Sequence, residues 1–121
     1  MRNIVFITVI FTFMFISKSH AASLSDSATV APFGKIFIYK QTAAPRNVAI
    51  MISGDAGWKS GVVSFAQTFS EMNTLVIGVD ILRYFKELRQ RTDDCYNVAA
   101  DFVQLATEIE KKYNLPDYIH P

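Results

Sequence analysis

Nine consecutive residues carry most of the chemical promise in this sequence: Ser53-Gly54-Asp55-Ala56-Gly57-Trp58-Lys59-Ser60-Gly61. They follow the continuously apolar segment Val48 to Ile52 and precede a segment with apolar residues at helical spacing. A loop so placed sits at the carboxyl end of a strand and the start of a helix, where open α/β sheets bind their ligands. Free backbone N–H groups and the helix dipole favour an anion there, including the oxyanion of an acyl transfer. Gly54 and Gly57 allow a tight turn and a close approach to a ligand. Three readings compete. Lys59-Ser60 suggests a nucleotide-phosphate loop, but that motif needs glycine directly before the lysine, and Trp58 stands there. An ordinary strand-to-helix connection would use the glycines for geometry alone. The oxyanion wall of a serine hydrolase would use Ser53, Gly54, Asp55, Ala56, Gly57 and Trp58. On spacing alone the ordinary connection is the default, because glycine-rich loops are common.

A second group stands near this loop in the expected fold: Asp80, Arg83 and Tyr84. Asp80 and Arg83 are spaced for an ion pair, for which a solvated loop contact is the plainer account. Asp55, beside glycines, shapes a turn more readily than it donates a proton. Trp58 either packs over the loop or covers the helix start. Lys86, Arg89 and Arg91 could attract anionic lipid, but Glu87, Asp93 and Asp94 sit among them and blunt that reading. His120 reads as a surface or strand-start histidine. Cys95 is the single cysteine, which excludes an intrachain disulfide and a cysteine-based zinc site. It reads as a small buried apolar group on a helix. No metal-ligand cluster and no nucleotide fingerprint appears, so neither metal nor cofactor is expected.

The elements that must position these residues follow from periodicity. Lys35 to Lys40 reads as a β-rich strand near a sheet edge. Asn47 to Ile52 reads as a strand buried on both faces, as in a parallel sheet. Ser60 can cap a helix whose apolar stripe is Val62, Phe65, Ala66, Phe69 and Met72, with Asn73 as its stop. Thr74 to Val79 reads as a second buried strand, and Ile81 to Thr92 as a loop with a short helical turn. Asp93 opens a helix with the stripe Cys95, Val98, Ala99, Phe102, Leu105, Ala106, Ile109 and Tyr113. Asp101 falls on its polar side, Glu108 and Lys112 form an i,i+4 pair, and Asn114 and Pro116 end it. Strands alternating with amphipathic helices argue for an α/β fold with a mostly parallel sheet.

Half of the 121 residues are apolar and the net charge is +1, which excludes a disordered chain and a nucleic-acid groove. Much of the apolar content lies at the start. Met1-Arg2-Asn3 is cationic, Ile4 to Ile16 is almost wholly apolar, and Ser19-His20-Ala21 fits a small-residue cleavage site. The apolar run is shorter than the roughly 20 residues a spanning helix needs. The expectation is an exported, periplasmic protein whose signal peptide, residues 1–21, is cleaved near Ala21. Residues 22–32 then read as a linker, and residues 33–121 as the folded part.

The wording of two segments adds to this. Val48-Ala49-Ile50-Met51-Ile52-Ser53-Gly54-Asp55-Ala56-Gly57-Trp58 and Val76-Ile77-Gly78-Val79-Asp80-Ile81-Leu82-Arg83-Tyr84-Phe85 together resemble the bacterial virulence protein family VirJ/AcvB. The family typically has Ser-Gly-Asp-Gly-Gly-Trp in the loop, and here Ala56 replaces the central glycine. Cys95-Tyr96 to Asp101-Phe102 and the ending Leu115 to Pro121 look more like the N-terminal domain of AcvB-type members. The resemblance implies a periplasmic α/β-hydrolase domain, links to type IV secretion and virulence, and hydrolysis of aminoacylated phosphatidylglycerol. It also implies a catalytic serine in a Gly-x-Ser-x-Gly elbow on the strand after a Tyr118-Ile119-His120-Pro121-like stretch. This sequence contains no Gly-x-Ser-x-Gly.

The expected architecture is therefore a partial α/β-hydrolase-like three-layer fold with a mostly parallel sheet, truncated before the nucleophile strand. The expected function is that of a virulence-associated hydrolase relative, catalytically incomplete in this chain, with anionic or aminoacylated phospholipid as the ligand. The alternative is an interaction module of a type IV secretion or envelope system. It would complete its sheet with a secretion-system protein or a missing C-terminal portion. A small independent binding domain is a third option.

Overall fold

The structure is a computed structural model and describes residues 24–92 and 95–117. The proposed signal segment, Asp93 and Asp94, and the Tyr118 to Pro121 ending with His120 lie outside the described residues.

Four strands and three helices follow one another as β1 (Leu24–Val30), β2 (Gly34–Lys40), β3 (Asn47–Ile52), α1 (Ser60–Glu71), β4 (Thr74–Val79), α2 (Ile81–Leu88) and α3 (Val98–Lys112). The sheet order is β1-β2-β4-β3. β1 pairs antiparallel with β2, and β2 pairs antiparallel with β4 through Phe37 opposite Gly78, Ile38 opposite Ile77 and Tyr39 opposite Val76. Only β3 and β4 are parallel, in register from Asn47 opposite Thr74 to Ile52 opposite Val79.

This overturns the expected mostly parallel α/β-hydrolase sheet. The described residues form a small α+β unit on a mixed sheet in which two of three pairings are antiparallel. The cause lies at the start. Residues 24–30, expected as linker, make a strand that turns back through Ala31–Phe33 onto β2. β2 then has neighbours on both sides and is not an edge. Its Ile36 and Ile38 point to one face of the sheet, Phe37 and Tyr39 to the other.

Each face has its own core. On one, α1 lays Ala66 against Tyr39 and Val76, with Phe37, Met51, Trp58 and Val63 around them. On the other, Ile36, Ile38, Leu75, Ile77 and Val79 meet Tyr84 of α2 and Leu105 and Ile109 of α3. Phe33, fully buried in the β1–β2 turn, stacks on Tyr84 at 4.6 Å between centroids and meets Phe102 edge-on at 4.9 Å. Such an aromatic trio contributes beyond its buried area, by about 1 kcal/mol per pair.

β4 is buried at all six positions, as a central strand should be. β3 is not. Val48, Ala49, Ile50 and Met51 are half-buried and Ile52 is 48% exposed, because β3 has β4 on one side and no described strand on the other. The helix stripes shift likewise. In α1 the buried residues are Ala66 and Ser70, while Phe65 is 66% exposed and Phe69 and Met72 also face outward. In α3, Asp101 is buried and Val98 is exposed.

Helix ends explain the remaining differences. α3 starts at Val98, where the Asn97 side chain accepts from the Ala100 N–H at 3.0 Å. Cys95 therefore precedes the helix and is exposed rather than a core group. α1 has Lys59 at its N-cap with no side-chain cap bond, and Ser60 is its first helical residue. Asn73 and Asn114 end α1 and α3 in left-handed conformation, φ 58° and 53°, as asparagine tolerates. Lys112 reaches Asp26 at 3.5 Å instead of Glu108, which accepts from Gln104. No helix among the described residues is long and apolar enough to cross a membrane.

Candidate functional site

The parallel pair β3 and β4 ends on one side of the sheet, so the chain leaving β3 meets the chain leaving β4. Ser53 ties the two together. Its N–H donates to the Val79 carbonyl at 2.9 Å, and its Oγ accepts from the Ile81 N–H at 3.0 Å. Ser53 is 6% exposed and its hydroxyl oxygen is engaged at the α2 start, which suits an anchor and not a nucleophile.

Gly54 to Gly57 then form a β-turn closed by the Gly57 N–H donating to the Gly54 carbonyl at 2.9 Å. Gly57 has φ 76°, a left-handed conformation that side chains rarely adopt. A β-carbon there would stand 3.4 Å from both carboxylate oxygens of Asp80. Ala56 is not among the left-handed residues, so alanine sits at this position without strain. Gly54, Asp55 and Ala56 are exposed, and the N–H groups of Asp55 and Ala56 have no acceptor among the described residues.

Asp80 caps α2. Its Oδ1 accepts from the Leu82 N–H at 3.1 Å, and its Oδ2 lies 3.6 Å from Arg83 Nε. The ion pair expected from sequence is present. The carboxylate beside Gly57 is thus offset by the positive end of α2 and by a guanidinium. Tyr84 is not brought to the loop. It points between α2 and α3, where its hydroxyl donates to Asp101 at 2.9 Å. Arg91 binds both oxygens of the same carboxylate at 3.2 and 3.3 Å. Burial first, then the Asp101 hydrogen bond and charge, push the Tyr84 hydroxyl up to about 12.

Trp58 leaves the loop mouth and lies over the sheet. Its ring stacks on Phe37 at 5.2 Å with planes 7° apart, and its Nε1 donates to Tyr39 Oη at 3.2 Å. It fixes the loop's exit and does not cover its exposed turn. No group of three or more histidine, cysteine or carboxylate side chains suited to a metal occurs among the described residues.

Sequence reasoning missed the Tyr84–Asp101–Arg91 network, and missed α2 as a full helix. For α2 a signal existed: Asp80 as N-cap before Ile81, Tyr84 and Leu88 at i, i+3 and i+7. For the network there was none, since a lone Asp101 on a helix reads as solvated.

The fold and the loop thus define a small α+β unit with an exposed turn at the carboxyl end of a parallel strand pair. The family model for bacterial virulence protein VirJ matches residues 46–119, from the start of β3 through α3, including the loop and Asp80. This chain belongs to the VirJ family of bacterial virulence proteins. No curated protein and no solved structure matches it.

Proposed function

We propose that this virulence-associated chain is exported and that its Gly54–Trp58 loop forms the oxyanion-binding wall of a site for aminoacylated phospholipid. The observation that carries the reading is the pair of N–H groups on the exposed turn, Asp55 and Ala56, that have no acceptor among the described residues. Ester hydrolysis places negative charge on the former carbonyl oxygen, and one preorganised donor is worth about 3 kcal/mol of barrier. The turn is preorganised by Gly57 against Asp80 and by Ser53 at the α2 start. The nucleophile of such a reaction would come from outside these 121 residues, which carry no Gly-x-Ser-x-Gly. The chain alone then binds without turnover.

The test has two arms. Incubated with a fluorophosphonate probe, the chain stays unlabelled. Titrated with a short-chain aminoacyl-phosphatidylglycerol, the backbone amide resonances of Asp55 and Ala56 shift ahead of the rest. Stoichiometric labelling, or shifts that spare the turn, would sink the reading.

A second reading, an interaction module that completes its sheet with a partner, draws on β3. That strand is apolar toward both faces yet half-exposed. Strand addition by a periplasmic partner would protect β3 amides from hydrogen exchange. Unchanged exchange in the presence of the candidate partner counts against it.

A further inference from the structure

We infer that the outward face of α2 docks the protein onto an anionic phospholipid bilayer, beside the Gly54–Gly57 turn. The inference extends the lipid reading of that turn by assigning it a membrane-facing side.

α2 turns Tyr84 into the core, with Ile81 and Leu88 half-buried beside it. At about 100° per residue, Leu82, Phe85, Lys86 and Arg89 share one outward arc roughly 100° wide. All four are exposed, Leu82 at 47% and Phe85 at 48%. Arg83, at the margin of the arc, is also exposed. The only anion on the helix, Glu87, is half-buried and lies off the arc. Two exposed apolar side chains flanked by Lys86 and Arg89, with the Asp80-paired Arg83 at the margin, are a poor fit to water. They are a good fit to an interface where apolar groups enter the acyl boundary and cations meet phosphates.

At the margin of this face, on the Arg83 and Glu87 side, lies a cavity of about 360 Å³ lined by Gly34, Leu82, Arg83, Lys86 and Glu87. It offers two cations and one carboxylate to a polar headgroup next to the Leu82 side chain. Leu82 also links the surface to the loop: its Cδ1 lies 3.5 Å from where a β-carbon on Gly57 would stand. A bilayer against α2 would therefore lie next to the turn. Charge complementarity selects the occupant, since a neutral apolar partner would leave Lys86 and Arg89 facing apolar surface, which is costly, while Arg83 keeps Asp80 as its partner.

The experiment is vesicle flotation of the full chain. Vesicles of phosphatidylcholine alone are compared with vesicles containing a quarter phosphatidylglycerol. Binding is expected only to the anionic vesicles and should fall steeply with added salt. Each basic residue near such a surface is worth about fivefold, so Lys86→Gln with Arg89→Gln should weaken partition by more than about tenfold. Phe85→Ser should weaken it while leaving the salt dependence. Equal binding to both vesicle types, binding to neither, or binding unaffected by these surface substitutions overturns the proposal. So does binding of soluble glycerol phosphate without vesicle binding. Plain phosphatidylglycerol carries no aminoacyl ester, so a failure of the turn as an oxyanion wall leaves this result intact, and the reverse also holds.

Discussion

The indole of Trp58 lies so close over Gly78 that a β-carbon there would stand 2.3 Å from two of its ring atoms. The pair locks the loop after β3 to the carboxyl end of β4, since Trp58 follows directly on the Gly54–Gly57 turn and Gly78 pairs with Phe37 in the sheet. Gly78→Ala must push the ring off Phe37. The expected cost is about 1–3 kcal/mol of unfolding free energy, as for an overpacked core. Denaturant titration measures it, and a shifted Trp58 emission should accompany it. A neutral result would mean the ring relocates freely.

The turn gives a pair of opposite expectations. Gly57→Ala places a side chain in a left-handed conformation against the Asp80 carboxylate, at a cost of about 1–2 kcal/mol. Ala56→Gly places glycine at a position without positive φ. It should cost no more than about 1 kcal/mol, through the freer unfolded chain. Thermal melting of the two variants separates them, and a larger loss for Ala56→Gly would contradict the geometry.

Asp101 is shared by Tyr84 and Arg91, so its removal strands both. Asp101→Ala should cost about 2–4 kcal/mol, more than Tyr84→Phe at about 1. A double-mutant cycle of Tyr84→Phe with Asp101→Ala reads their coupling. Additive losses would show that the hydrogen bond contributes nothing.

Two titrations follow. The folded chain holds the Tyr84 hydroxyl up at about 12, against an ordinary value near 10. Its contribution to stability is fully present below pH 10 and is lost as pH rises through 12, because the unfolded chain ionises first. Burial and the bond to Asp26 raise Tyr113 as well. At the acid end, the Tyr113 hydroxyl bonded at 2.6 Å, with help from the Ser27 N–H and Lys112, holds Asp26 below the ordinary carboxylate range. Its contribution is present above that range and fades as pH falls through the lowered value. Melting temperature against pH should show both limbs, and Tyr84→Phe and Asp26→Asn should each flatten their own.

Local pattern made β3, α1 and β4 legible to within a residue, because each is a run of one period bounded by Asn47, Ser60 or Asn73. The loop between them was legible for the same reason, and so was the Asp80–Arg83 pair. The sheet's direction was not. β1 is polar at Asp26, Ser27 and Thr29, and becomes a strand through its hairpin with β2 rather than through its own residues. Without it, β2 reads as an edge and the sheet reads as parallel. Trp58 was ambiguous from sequence because its neighbours Phe37 and Tyr39 belong to a strand two elements earlier. Asp101 was read as solvated because its partners, Tyr84 and Arg91, are set by how α2 folds back.

The strand order also sets a sequence of events. β4 is the last of the described strands in sequence, yet it lies between β2 and β3. The β1–β2 hairpin forms from near neighbours, but its inner edge waits for residues 74–79, with Tyr39 closing on Val76 only after β3 and α1 have intervened in the chain. Such distant closure is slow compared with hairpin formation. During synthesis or refolding, the hairpin's inner edge therefore stays open until α1 has brought β4 home. Conditions that stall α1 should yield hairpin-bearing species that stick to one another before any native sheet exists.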